Sequence, residues 1–292
     1  MMLGVVLAII TLIVAIILNY TIGIAFSMGE YYLASKAIGA MIYLPISLYL
    51  LVIILTFFLA YVTHRVARII EEEKRRRSLT YLGNFYLLTS IAALVLEIGI
   101  ITLLILDRSD TPISLFGATI YVYPISLGLG YFLGGLSALY LFLFGENESY
   151  GEINIKRCAI IYLLFAIMVV ISLFPQNWYG VVNWQGGSVR EITSLLLMLL
   201  FLLGIIRSII PFRRGLKERT EPIITTRYKL IIIGFIIYIG FFIFMLIDAI
   251  TGLPYSIWIT PAYICALISF ILIYLGFVTP TWFLRMLEKR GK

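Results

Sequence analysis

The sequence predicts an all-α integral membrane protein, a bundle of about eight transmembrane helices with no soluble domain. Three observations predict it. Hydrophobic residues make up 62% of the 292 and charged residues 13%, with a mean hydropathy of +1.06, where soluble domains carry roughly 25% charge. About eight long apolar stretches follow one another, most of them close to the about 20 residues that cross a hydrocarbon core of about 30 Å. Nineteen of the 22 Lys and Arg residues fall in alternate connections, which by the positive-inside bias puts both termini in the cytoplasm of a cell-membrane protein.

The first expected span, 2–27, contains no charged residue. It lacks the basic n-region of a signal peptide and outruns a 7–15-residue h-region, so it reads as a retained anchor. Further spans follow at about 39–63, 81–106, 113–144, 158–174, 192–210, 230–250 and 256–279. Together they make residues 1–292 a single transmembrane domain, an additional first helix 2–27 before a seven-helix core at 39–285. The fourth span is too long for a simple crossing. Its Pro124, followed by Gly128, Gly130, Gly134 and Gly135, predicts a tilt, a kink or a short re-entrant start. Gly130 and Gly134 form a G-x-x-x-G, read here as a close helix approach.

The connections set the orientation. Six basic residues lie in 64–78, seven in 207–229, four after Thr281, and Lys156 and Arg157 between the fourth and fifth spans. Only Lys36, Arg108 and Arg190 fall on the other side. Trp178, Trp184 and Trp258 come at the expected outer boundary and Trp282 at the inner one, as an interfacial aromatic belt requires. The formal charge of +7 is therefore assigned to topology and to anionic lipid at the inner loops, with no nucleic-acid partner. A cytoplasmic protein partner docking on loops 64–78 and 207–229 is the alternative use of the same clusters.

Few residues carry chemistry. Glu97 lies well inside the third span, where a charged carboxylate is costly, so it is protonated, paired or turned to a polar cavity. It reads as a ligand contact, a cation site or a proton-sensitive switch, or else as one interhelical hydrogen bond. Asp248 sits near the outer end of the seventh span. If it shares an outward cavity with Glu97, the two make a site for a cation or an amine. The outer loop 175–187, with Trp178, Tyr179 and Trp184 among amides and glycines, suits a lid over an amphiphilic ligand or a loop lying on the headgroups. The expected ligand-binding residues are thus Glu97, Asp248, Trp178, Tyr179 and Trp184.

No catalytic residue, metal site or cofactor is expected. His64 is the only histidine, and Cys158 and Cys265 form no C-x-x-C. A Glu-Glu-x-x-x-Arg at Glu72, Glu73 and Arg77 lacks the intramembrane histidines of the membrane proteases that use it. A nucleophile elbow, a Walker loop and a His-Glu-x-x-His are all missing, as is a lysine inside the last two spans.

Counted from the second span, seven spans run outside to inside. Thr226-Arg227-Tyr228-Lys229 opens one of them, followed by Asp248 and Leu253-Pro254. The last closes on Tyr274-Leu275-Gly276-Phe277-Val278-Thr279-Pro280-Thr281-Trp282-Phe283-Leu284-Arg285. Over residues 39–285 this resembles the seven-transmembrane N-terminal sensor module of archaeal and bacterial histidine kinases. The family usually carries PAS or kinase domains, so the resemblance implies a prokaryotic, stand-alone sensor half that signals through a partner. The expected function is a non-enzymatic, receptor-like module passing an outer or intramembrane signal to cytoplasmic loops. A structural subunit of a larger membrane complex and a secondary transporter using Glu97 and Asp248 are the alternatives.

Overall fold

A computed structural model describes residues 43–106, 112–115, 118–173, 187–218, 221–251 and 258–290; the expected first span lies outside them. The elements are α1 (Tyr43–Ile69), α2 (Glu73–Leu106), β1 (Pro112–Leu115), β2 (Ala118–Tyr121), α3 (Val122–Tyr150), α4 (Ile155–Leu173), α5 (Gly187–Glu218), α6 (Pro222–Thr251), α7 (Ile259–Phe277) and α8 (Thr281–Arg290). Among the described residues, α1 to α7 are each long and apolar enough to cross a membrane. The chain is an all-α, multi-pass membrane bundle with one small β-ribbon.

That ribbon corrects the fourth span. Residues 113–121 were expected inside the fourth span, but β1 and β2 pair antiparallel, Pro112 opposite Tyr121 and Leu115 opposite Ala118. Ile113, Thr119, Ile120 and Tyr121 are β-branched or aromatic residues that favour a pleated strand over a helix, and hydropathy cannot distinguish the two. The helix proper starts at Val122, which leaves Pro124 in its first turn, where a proline costs no helical hydrogen bond.

Two expected loops are also shorter than drawn. Of residues 64–78, only 70–72 are non-helical, and α5 runs on to Glu218 before α6 begins at Pro222. The charged residues continue the helices beyond the apolar stretch because Glu, Lys and Arg are good helix formers.

Helices α1 to α7 each pack on the next, α8 lies against α6, and two further contacts organise them. α1 packs on α7, closing a ring, and α3 packs on α5, which leaves α4 outside against both. Outward faces carry apolar side chains at helical spacing: Ile160, Leu163, Ile167 and Val170 on α4, and Leu195, Leu199, Leu202 and Ile206 on α5, are all exposed. Lipid is the medium in which such stripes are stable.

The ring's centre is aromatic. Phe85 and Tyr86 of α2, Phe235 of α6 and Phe270 of α7 are fully buried. Tyr86 and Phe270 meet edge-on at 5.7 Å, Phe201 of α5 meets Tyr238 of α6 at 5.9 Å and 90°, and the Tyr86 hydroxyl donates to the Phe270 carbonyl at 3.3 Å. Edge-to-face pairs add about 0.5–1.5 kcal/mol each beyond their area. A second group, Phe144, Phe212, Tyr228 and Phe277, ties α3, α5, α6 and α7 nearer the end where the basic residues gather.

Candidate functional site

Glu97 lies on α2, 2% exposed, and neither carboxyl oxygen has a hydrogen-bond partner among the described residues. Helical spacing puts it on one stripe with Tyr86, Ser90 and Ala93. That stripe faces the inside of the ring: the Ser90 hydroxyl donates to the Ile53 carbonyl of α1 at 2.9 Å, and Ala93 packs with Leu50 and Ile53. The neighbouring Leu96 turns to α3, where a Cβ on Gly130 would fall 2.4 Å from its Cγ. Glu97 thus lies between helices with no interhelical hydrogen bond among the described residues.

Asp248 is in the last turn of α6, but its side chain lies outside the described residues, as do Trp178, Tyr179 and Trp184 altogether.

The opposite end of the bundle holds a constellation that sequence reasoning missed. Glu146, near the end of α3, has no exposed side-chain surface. It accepts from Arg157 Nε of α4 at 2.5 Å and from Arg207 Nε of α5 at 2.8 Å. The Tyr150 ring, one turn further along α3, faces both guanidinium carbons, at 4.0 Å from Arg157 and 4.8 Å from Arg207. One carboxylate thus fastens three helices, and the ring face takes part of the surplus positive charge.

Local sequence makes this reach possible. A Cβ on Gly145 would lie 2.6 Å from the Arg207 carbonyl carbon and the Ser208 amide, so α3 and α5 touch backbone to backbone beside Glu146. Gly204 and Ser208 continue the seam: the Ser208 hydroxyl donates to the Leu141 carbonyl at 3.0 Å, and a Cβ on Gly204 would meet the Ala138 carbonyl at 3.2 Å. Small residues four apart are what let membrane helices approach this closely. Pro211, inside α5, cannot donate to the carbonyl of Arg207, which is the group that Gly145 abuts.

The next residue, Asn147, turns to α2. Its Nδ2 donates to the Ser78 hydroxyl at 2.7 Å and to the Lys74 carbonyl at 3.0 Å. On the far side of the ring, Arg227 of α6 donates through Nε to the Gly276 carbonyl at 3.1 Å and through Nη2 to the Phe277 carbonyl at 3.3 Å. A Cβ on Gly276 would lie 2.7 Å from the Arg227 carbonyl. The two stretches that carry the sensor-module resemblance therefore meet, an α6 arginine capping the end of α7. Thr279, with φ of 50°, then turns the chain into α8.

The signal for Glu146 was present as Gly145-Glu146-Asn147-Glu148, polar residues directly after an apolar run. Ending the fourth span at 144 put them in a loop, whereas α3 continues to Tyr150 and carries Glu146 into the packed interior. Among the described residues no group of three His, Cys, Asp or Glu is placed to hold a metal ion. Compared with known proteins, the chain matches no family model, no curated protein and no solved structure.

Proposed function

We propose that this chain is a non-enzymatic, receptor-like membrane module that carries a change at an intramembrane site to its basic end. The observation that carries this reading is Glu97: a buried carboxyl with both oxygens free of partners among the described residues, on the α2 face that packs into the ring. A polar group in that position is costly unless it is satisfied, so a ligand, a cation or a proton arriving there has a direct grip on the α1–α2–α7 packing. α2 is also the element that reaches the other end. Ser90, Tyr86 and Ser78 along its length bond Ile53 of α1, Phe270 of α7 and Asn147 of α3, and Asn147 adjoins the Glu146 tie.

The aromatic filling of the ring favours helix displacement over a transport route, which needs a polar lining through the middle. The basic end, cytoplasmic in this reading, offers residues 64–78 and 207–229 to a protein partner and to anionic lipid.

Purification of the full chain from its native membrane in mild detergent, with co-purifying proteins identified and counted by mass, separates this reading from its nearest rival. A receptor-like module comes as the chain alone or with sub-stoichiometric partners. A fixed one-to-one complement of other subunits would overturn it in favour of a structural subunit.

A further inference from the structure

A half-open groove of about 400 Å³ lies along α1, bordered by Leu87 of α2, within the about 300–1,000 Å³ of ordinary ligand sites. Its α1 lining falls on one helical stripe. Phe57 and Ala60 lie toward the membrane's middle, Tyr61 comes next, and Arg65 and Arg68 stand at the basic end. From Phe57 to Arg68 is 11 residues, about 16 Å at about 1.5 Å per residue. The groove therefore changes from apolar to cationic along the membrane normal.

The floor is built rather than incidental. His64 Nδ1 donates to the Ala60 carbonyl at 2.8 Å, and Nε2 lies 3.0 Å from Asn84 Oδ1. Gly83 gives the ring its seat, because a Cβ there would come within 2.5 Å of the imidazole. Both ring nitrogens are engaged, so the imidazole shapes the groove without offering it a donor. The free donors are the Tyr61 hydroxyl and the guanidinium groups of Arg65 and Arg68, none of which has a hydrogen-bond or ion-pair partner among the described residues. In this they differ from Arg157, Arg207 and Arg227, whose bonds are internal. Arg65 and Arg68, three residues apart, are neighbours on the helix surface and can close on one anion.

We infer that this groove binds one acidic phospholipid. Its headgroup phosphate is held by Arg65, Arg68 and the Tyr61 hydroxyl, and the start of one acyl chain lies against Phe57, Ala60 and Leu87. A phosphate-bearing amphiphile fits because the cationic and apolar halves are continuous and ordered along the membrane normal. A soluble anion would leave the apolar half empty. The inference rests on the chain being embedded in a membrane and not on the receptor reading, so either can fail alone.

The test is native mass spectrometry of the full chain in mild detergent, given equal amounts of phosphatidylglycerol and phosphatidylcholine. The wild type is expected to retain one phosphatidylglycerol in preference. Arg65→Ala with Arg68→Ala is expected to weaken that retention by about 25-fold, about fivefold for each charge near the surface. Arg213→Ala with Arg214→Ala, an exposed basic pair on α5 outside the groove, removes only diffuse charge from the same end and should weaken it far less. Leu87→Trp, which fills the apolar half with both arginines in place, should also displace the lipid, and decides the matter if the double alanine variant does not fold. Equal losses from the two arginine pairs would reduce the effect to diffuse charge and overturn the site. Displacement of the lipid by equimolar oleate or inorganic phosphate would overturn the phospholipid assignment.

Discussion

Glu146 and Glu97 are both buried acids, and what surrounds them separates their roles. Glu146 has two guanidinium groups and an aromatic ring against it, so it holds structure. Removing its charge leaves two arginines facing one another across packed helices, and breaking a buried pair in this way costs about 3–5 kcal/mol. Glu146→Gln is expected to destabilise the purified protein by about 3 kcal/mol, read as the shift of its unfolding transition in detergent. Arg77→Ala, which breaks the exposed Glu73–Arg77 pair on α2, should change stability by less than about 0.5 kcal/mol. Glu97 was legible from sequence because a lone acid inside an apolar run violates the run. Glu146 was not, because an acid just beyond such a run looks like any solvated loop residue until the helix is seen to continue past it.

At the scale of elements, hydropathy reports the thickness of the membrane and not the length of a helix. The seven spans that fall on described residues were therefore located well while their ends were not. α2 starts eight residues before its expected span, at Glu73 in place of 81, because Lys74–Arg77 can wind on as helix outside the hydrocarbon. The β1–β2 ribbon was hidden for the complementary reason: its residues are as apolar as a span, and periodicity over four residues cannot identify a strand. Glycine positions were legible as a pattern, but their partners were not. Gly145 and Gly240 look alike in the sequence, yet a Cβ on Gly145 would strike α5 backbone at 2.6 Å, whereas one on Gly240 would rest 3.5 Å from the Cys265 sulfur, an ordinary contact. Gly145→Ala is accordingly expected to cost about 1–3 kcal/mol as overpacking, with loss of monodispersity on mild heating. Gly240→Ala should stay within about 0.5 kcal/mol. Unfolding of both variants in the same detergent checks the contrast, and equal behaviour would contradict the seam described between α3 and α5.

At the scale of the whole molecule, the described residues tie the basic end together through charged and amide side chains and fill the middle with aromatic packing. The basic end is cross-tied by Glu146 to Arg157 and Arg207, by Asn147 to Ser78 and by Arg227 to the end of α7. The middle is closed by Phe85, Tyr86, Tyr238 and Phe270. Charge segregation announced where the first of these lies, since lysines and arginines must leave the hydrocarbon, but not the ties across it. The second could not be read there, because any of the chain's 39 Phe and Tyr residues could equally have faced lipid. α2 runs through this ring from Glu97 to Ser78.

Coupling between Glu97 and the basic end is the central claim. It is tested most directly by the distance between spin labels at Arg76→Cys on α2 and Lys217→Cys on α5, both exposed, with Cys158 and Cys265 replaced by alanine. The account predicts that Glu97→Gln shifts this distance distribution by about 1–2 Å, the scale of helix shifts in switching proteins, as Glu146→Gln does by releasing the tie itself. Superimposable distributions for wild type and Glu97→Gln, in an experiment where Glu146→Gln does shift them, would contradict it.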